Sequence, residues 1–126
     1  MDYTPQIIQA VHAIDSELIV TSTIRPPGEG LHSLACAVDF GHKDPSRLFK
    51  VFEALQDQDW KGGIGIGIPP AMIHLHVDGR NWLGAYPAAV WIETNLWGPN
   101  YTQSIKGFST DWNDTLNKAR KIYGAE

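Results

Sequence analysis

Apolar positions alternate with polar ones at two different periods along the chain, and the switches between them predict the elements. Pro5 followed by Ile7, Ile8, Val11 and Ile14 fits a short amphipathic helix with proline in its first turn. Leu18 to Ile24 (LIVTSTI) is rich in β-branched residues and is stopped by Pro26, Pro27, Gly28 and Gly30, which predicts a strand running into an irregular loop. The short apolar run Ala35 to Phe40 is a strand or a tight connection. Pro45 to Gln58 places Leu48, Val51, Phe52 and Leu55 at helical spacing and predicts a second helix. Gly62 and Gly63 open IGIGI, and Pro69-Pro70 turns the chain into MIHLHVD, so these two segments predict a hairpin whose glycine-bearing strand admits close approach of another group. Val90 to Leu96 reads as a last strand, and Ser109 or Asp111 can cap a final helix carrying Trp112, Leu116, Ala119 and Tyr123. The fold class expected is α+β: one domain over residues 1–126, with a small, mainly antiparallel sheet and helices packed on one side.

Composition narrows the function. At 126 residues and 14.0 kDa the chain suits one domain with a real core. Ten Lys and Arg against fourteen Asp and Glu leave a formal charge of -4, so no electrostatic footprint for nucleic acid is present. The single cysteine, Cys36, excludes an internal disulfide framework and any zinc site built on several thiolates; it reads as a small core residue. Neither a signal-peptide pattern nor an apolar run of roughly 20 residues occurs, so a soluble protein without its own export signal is expected, either cytoplasmic or released by lysis, with no membrane partner.

Chemistry enters through the histidines. His12 and His42 stand alone and read as structural. In MIHLHVD, by contrast, His74, His76 and Asp78 alternate with Ile73, Leu75 and Val77, so strand geometry puts the three polar groups on one face. Two imidazoles in an apolar run need partners, and a metal is an efficient one: zinc takes imidazole nitrogen and carboxylate oxygen, with a fourth position left for water at catalytic sites. His32, after the glycine-rich loop, and Asp39, at the end of ACAV, are the upstream candidates. A hydrogen-bonded His-Asp pair on a polar strand face is the other reading of the same residues.

TSTIRPPGEGLHSLACAVDF resembles the His-x-x-Gly-x-Ala-x-Asp block of the zinc peptidases of the D-alanyl-D-alanine carboxypeptidase and peptidoglycan endopeptidase group. GGIGIG followed by IHLHVDGR resembles their glycine-rich strand and terminal His-x-Asp-x-x-Arg segment. The resemblance covers about Leu18 to Arg80 and extends to the zinc site of the amino-terminal domain of hedgehog proteins. It implies that His32, Asp39 and His76 bind Zn2+, that His74 acts as general acid/base or oxyanion stabiliser, and that Arg25 contacts a carboxylate or carbonyl of the substrate. A peptidoglycan stem peptide is the substrate implied, cut by a carboxypeptidase or an endopeptidase.

The chain departs from the family at three places. The acid that many members carry shortly before the last ligand is absent, since Ala71, Met72 and Ile73 fill that stretch and the nearest preceding acid is Asp59. Ala35 stands for the family glycine, and Gly30 for a serine. His74 is able to replace the missing base, because an imidazole accepts and returns protons near neutrality. A zinc-bearing binding or structural module that has lost turnover is the alternative from another class. Asp78 reads either as the carboxylate that orients an imidazole or as the opening of an Asp-Gly turn. Trp60, Trp82, Trp91, Trp97 and Trp112 read either as core or as an aromatic cleft.

Overall fold

A computed structural model describes residues 2–23, 36–84 and 87–125. The chain forms helices α1 (Thr4–His12), α2 (Pro45–Asp57) and α3 (Trp112–Tyr123) and strands β1 (Ile19–Ser22), β2 (Ala37–Gly41), β3 (Gly63–Gly67), β4 (Leu75–Asp78), β5 (Ala89–Glu93) and β6 (Gln103–Ile105). The six strands make one sheet in the order β1-β2-β4-β3-β5-β6. Every neighbouring pair is antiparallel except β3 and β5, which run parallel. This is the α+β architecture expected, with helices packed against a mainly antiparallel sheet.

The period-2 pattern of the strands decides which face the helices cover. Val38, Phe40, Leu75, Val77, Ile64, Ile66 and Ile92 are at most 1% exposed and join Ile7 and Val11 of α1, Leu48, Phe49, Val51, Phe52 and Leu55 of α2, and Trp112, Ala119 and Tyr123 of α3 in one core. Alternate residues therefore occupy the opposite face. From β2 through β4 and β3 to β5, these are Ala37 and Asp39, then His76 and Asp78, then Gly63, Gly65 and Gly67, then Ala89, Trp91 and Glu93.

Two local expectations differ from the structure. Val90 to Leu96 contributes β5, which ends at Glu93 and is not the last strand, because β6 follows and pairs with it. Three-residue β6 carries too short an alternation to announce itself. Neither expected cap closes the start of α3: Asp111 occupies the N-cap position but accepts from the Ser104 hydroxyl at 2.7 Å, and the Ser109 hydroxyl accepts from the Ile105 N–H at 2.9 Å. Both side chains tie β6 to the helix instead. Asp44 does cap α2, accepting from the Ser46 N–H at 3.1 Å.

The C-terminal helix reaches the rear of the strands that carry the histidines. Buried Tyr123 donates its hydroxyl to the Gly67 carbonyl at 2.5 Å, with the His74 carbonyl a further 3.3 Å contact. Tyr123→Phe strands these buried acceptors and should lower stability by about 1–2 kcal/mol, read from urea denaturation. An unchanged midpoint would show that the hydroxyl does not tie the helix to the sheet. Among the described residues, no helix is long and apolar enough to cross a membrane.

Candidate functional site

His76 is held between two carboxylates. β2 and β4 pair with Asp39 opposite His76, and both side chains rise on the face away from the helices. The His76 Nδ1 lies 3.2 Å from Asp39 Oδ1, and its Nε2 lies 2.8 Å from Asp78 Oδ2. Burial opposes charge on this imidazole, but the carboxylates of Asp39 and Asp78 outweigh it and push its pKa up to about 9.

Asp78 is fully buried and serves several groups at once. Its Oδ1 accepts from the Gly63 N–H, the Arg80 N–H and Arg80 Nε, and its Oδ2 from His76 Nε2 and Arg80 Nη2, all between 2.8 and 3.1 Å. Burial raises its pKa, yet His76 and Arg80 together hold the carboxyl well below the usual carboxylate range. Both sequence readings of Asp78 are realised: it accepts from the N–H two residues on, as a turn aspartate does, and it orients His76.

Glycines make room for this constellation. A Cβ at Gly63 would sit 2.4 Å from Asp78 Oδ2, and one at Gly65 would sit 2.4 Å from the Trp91 ring. Without those atoms, Trp91 lies across β3 with its ring centroid 5.2 Å from that of His76, and the Arg80 guanidinium lies 5.0 Å above Trp91. The alternating IGIGI is therefore half core and half floor: isoleucines face the helices, and glycines let side chains from both neighbouring strands meet over β3.

His74 lies just before β4, so the expected three-group strand face is shortened by one residue. Its Nδ1 donates to the Met72 carbonyl at 2.8 Å, and its Nε2 lies 3.7 Å from Glu93 Oε1. Glu93 is buried on β5, with Oε2 accepting from Trp91 Nε1 at 3.2 Å. Glu93 escaped the sequence reading, and Trp91 entered it only as core or aromatic cleft, because both follow the motif and join it only through the β3–β5 pairing. The alternation of AVWIE, which puts tryptophan and glutamate on one face, was the signal available.

His32 and Arg25 lie outside the described residues, as do Gly30 and Ala35. Among the described residues, no group of three His, Cys, Asp or Glu side chains is placed to hold a metal ion. Asp39 and His76 nevertheless fit two positions of a zinc set. Two ligands about 2.0–2.1 Å from a tetrahedral zinc lie about 3.3 Å apart, and the observed N···O separation is 3.2 Å. Nδ1 donates to Asp39 as Nε2 donates to Asp78, and a cation bound between His76 and Asp39 would take the place of the Nδ1 proton.

The other singled-out residues have structural surroundings. His12 contacts the Leu18 carbonyl at 2.9 Å, and His42 accepts from the Asp44 N–H at 2.9 Å. Cys36 is buried, which, with the Asp78 charge, pushes its thiol up to about 11. The tryptophans do not form one cleft. Trp60 and Trp82 meet edge to face with Tyr3 on Trp82, Trp97 stacks on Tyr101, and Trp112 is in the core. Compared with family models, curated proteins and solved structures, the chain matches none of them.

Proposed function

We propose that the chain is a zinc-dependent peptidase acting on peptidoglycan stem peptides. The observation that carries this reading is His76, set by Asp78 on one ring nitrogen and hydrogen-bonded to Asp39 through the other, at a separation that also suits two ligands of one ion. Asp39 and His76 would hold the metal, with His32 as the third ligand that the resemblance implies. Zinc, when bound, polarises a carbonyl oxygen and acidifies water.

The chain's own residues supply the rest of the chemistry. Asp78 keeps the His76 ring in one tautomer and orientation. His74, with Nδ1 committed to Met72, has Nε2 to take a proton from the attacking water and return it to the leaving amine. Arg25 would grip a substrate carboxylate through paired hydrogen bonds. The absence of an acid from Ala71 to Ile73 favours the second reading, a zinc-bearing binding or structural module without turnover.

Metal content by elemental mass spectrometry separates these. Wild type should carry close to one zinc per chain, and His76→Ala, Asp39→Ala and His32→Ala should each fall to background. Hydrolysis of a stem pentapeptide ending in D-alanyl-D-alanine, or of cross-linked peptidoglycan fragments, should then disappear in His74→Ala while zinc remains. Zinc without hydrolysis of either substrate supports the binding module. No zinc in wild type, even after it is supplied, overturns both readings.

A further inference from the structure

We propose that Glu93 is the positioning carboxylate of this site, holding the His74 imidazole over the glycine floor. The inference rests on the peptidase reading and adds a residue to it. Glu93 is 5% exposed on β5, a strand flanked on both sides within the sheet, where a carboxylate is costly unless other groups serve it. One oxygen accepts from Trp91 Nε1, and the other faces His74 Nε2 at 3.7 Å. That separation exceeds a direct hydrogen bond, so nitrogen and oxygen each keep capacity for a third polar atom.

The remaining contacts fix the ring from the other side. The Met72 carbonyl accepts from Nδ1–H at 2.8 Å, and the Cβ that Gly67 lacks would lie 3.2 Å from Nδ1. His74 is thereby confined between a backbone carbonyl, a glycine and the Glu93 carboxylate. The acid missing from the segment before His76 reaches this face from β5, across the glycine strand β3, through the sheet and not along the chain. In the proton transfer from attacking water to leaving amine, the proton passes through His74 alone. Glu93 keeps its charge throughout and, facing the Nε2 that takes the proton, compensates the imidazolium that forms transiently; unlike the third member of a catalytic triad, it acts on the transferring nitrogen and not on the opposite one.

Glu93→Gln keeps the shape and removes the charge. In the zinc-loaded protein, kcat on the stem pentapeptide should fall about 100-fold, with KM within about threefold and zinc content unchanged. In the zinc-free protein, ¹³C relaxation of the His74 ring should change from a single rigid orientation to exchange between rotamers. Loss of kcat together with loosening of the ring supports the proposal. Wild-type kcat in the variant, or an unchanged ring, overturns it. If wild type binds zinc and cleaves neither peptide, the peptidase reading fails by itself, and the ring measurement still decides whether Glu93 positions His74. Should Glu93→Gln not fold, Glu93→Asp, which withdraws the charge by one methylene, is read by the same two criteria.

Discussion

Asp78→Ala should destabilise the protein by about 3 kcal/mol, because it leaves the partly buried positive group of Arg80 and the buried Gly63 N–H without their acceptor. For a domain of this size the thermal midpoint should drop by on the order of 10 °C or more. The same change frees His76 Nε2, so zinc affinity should fall roughly 10–100-fold in whatever fraction folds. Asp78→Asn keeps the shape and part of the hydrogen bonding, and should lie between wild type and the alanine variant. Calorimetry with zinc competition checks both effects. A wild-type midpoint for Asp78→Ala would mean that Arg80 and Gly63 find other partners and that the carboxylate has no structural role.

The same pair gives the zinc-free protein a pH signature. Asp78 is depressed, so its contribution is present above the unfolded value of about 3.9 and is lost as pH falls toward the lowered folded value. His76 is raised to about 9, so its contribution is whole below the unfolded value of about 6.5 and is lost between there and the folded value. With a chelator present, the midpoint should therefore peak between about pH 4 and pH 6.5, and Asp78→Asn should flatten the decline on both sides.

Gly67→Ala should cost about 3 kcal/mol, the upper end of ordinary overpacking. A Cβ there would lie 2.0 Å from the Met72 carbonyl oxygen. The obstacle is backbone, so no rotamer change relieves it. That carbonyl also accepts from His74 and the Gly67 carbonyl accepts from Tyr123, so any displacement reaches both the site and α3. Urea denaturation should show a lower midpoint. Gly65→Ala meets the Trp91 ring at 2.4 Å instead and should displace Trp91 from His76, which near-ultraviolet circular dichroism would register. A Gly67→Ala protein with an unaltered midpoint would show that the turn before β4 yields freely.

By itself, the sequence determined the elements whose information is local and repeated. Helical spacing from Leu48 to Leu55 and glycine alternation from Gly63 to Gly67 mark α2 and β3, since their side-chain periods follow directly from backbone geometry. The same alternation set His76 and Asp78 on one face. Only the tertiary structure decided what that face meets. Asp39 lies opposite His76 because β2 pairs with β4 in one register, and a slip of one residue would have turned it into the core. Glu93 and Trp91 join through the parallel β3–β5 pairing, 15 and 17 positions beyond His76 in the case of Trp91 and Glu93 respectively, a distance no local period encodes. Neither the Asp111–Ser104 bond nor the Tyr123–Gly67 bond has a local signature, because each partner is chosen by where α3 docks on the sheet. Chemistry-bearing residues are legible one strand at a time; the site they form depends on which strands the fold makes neighbours.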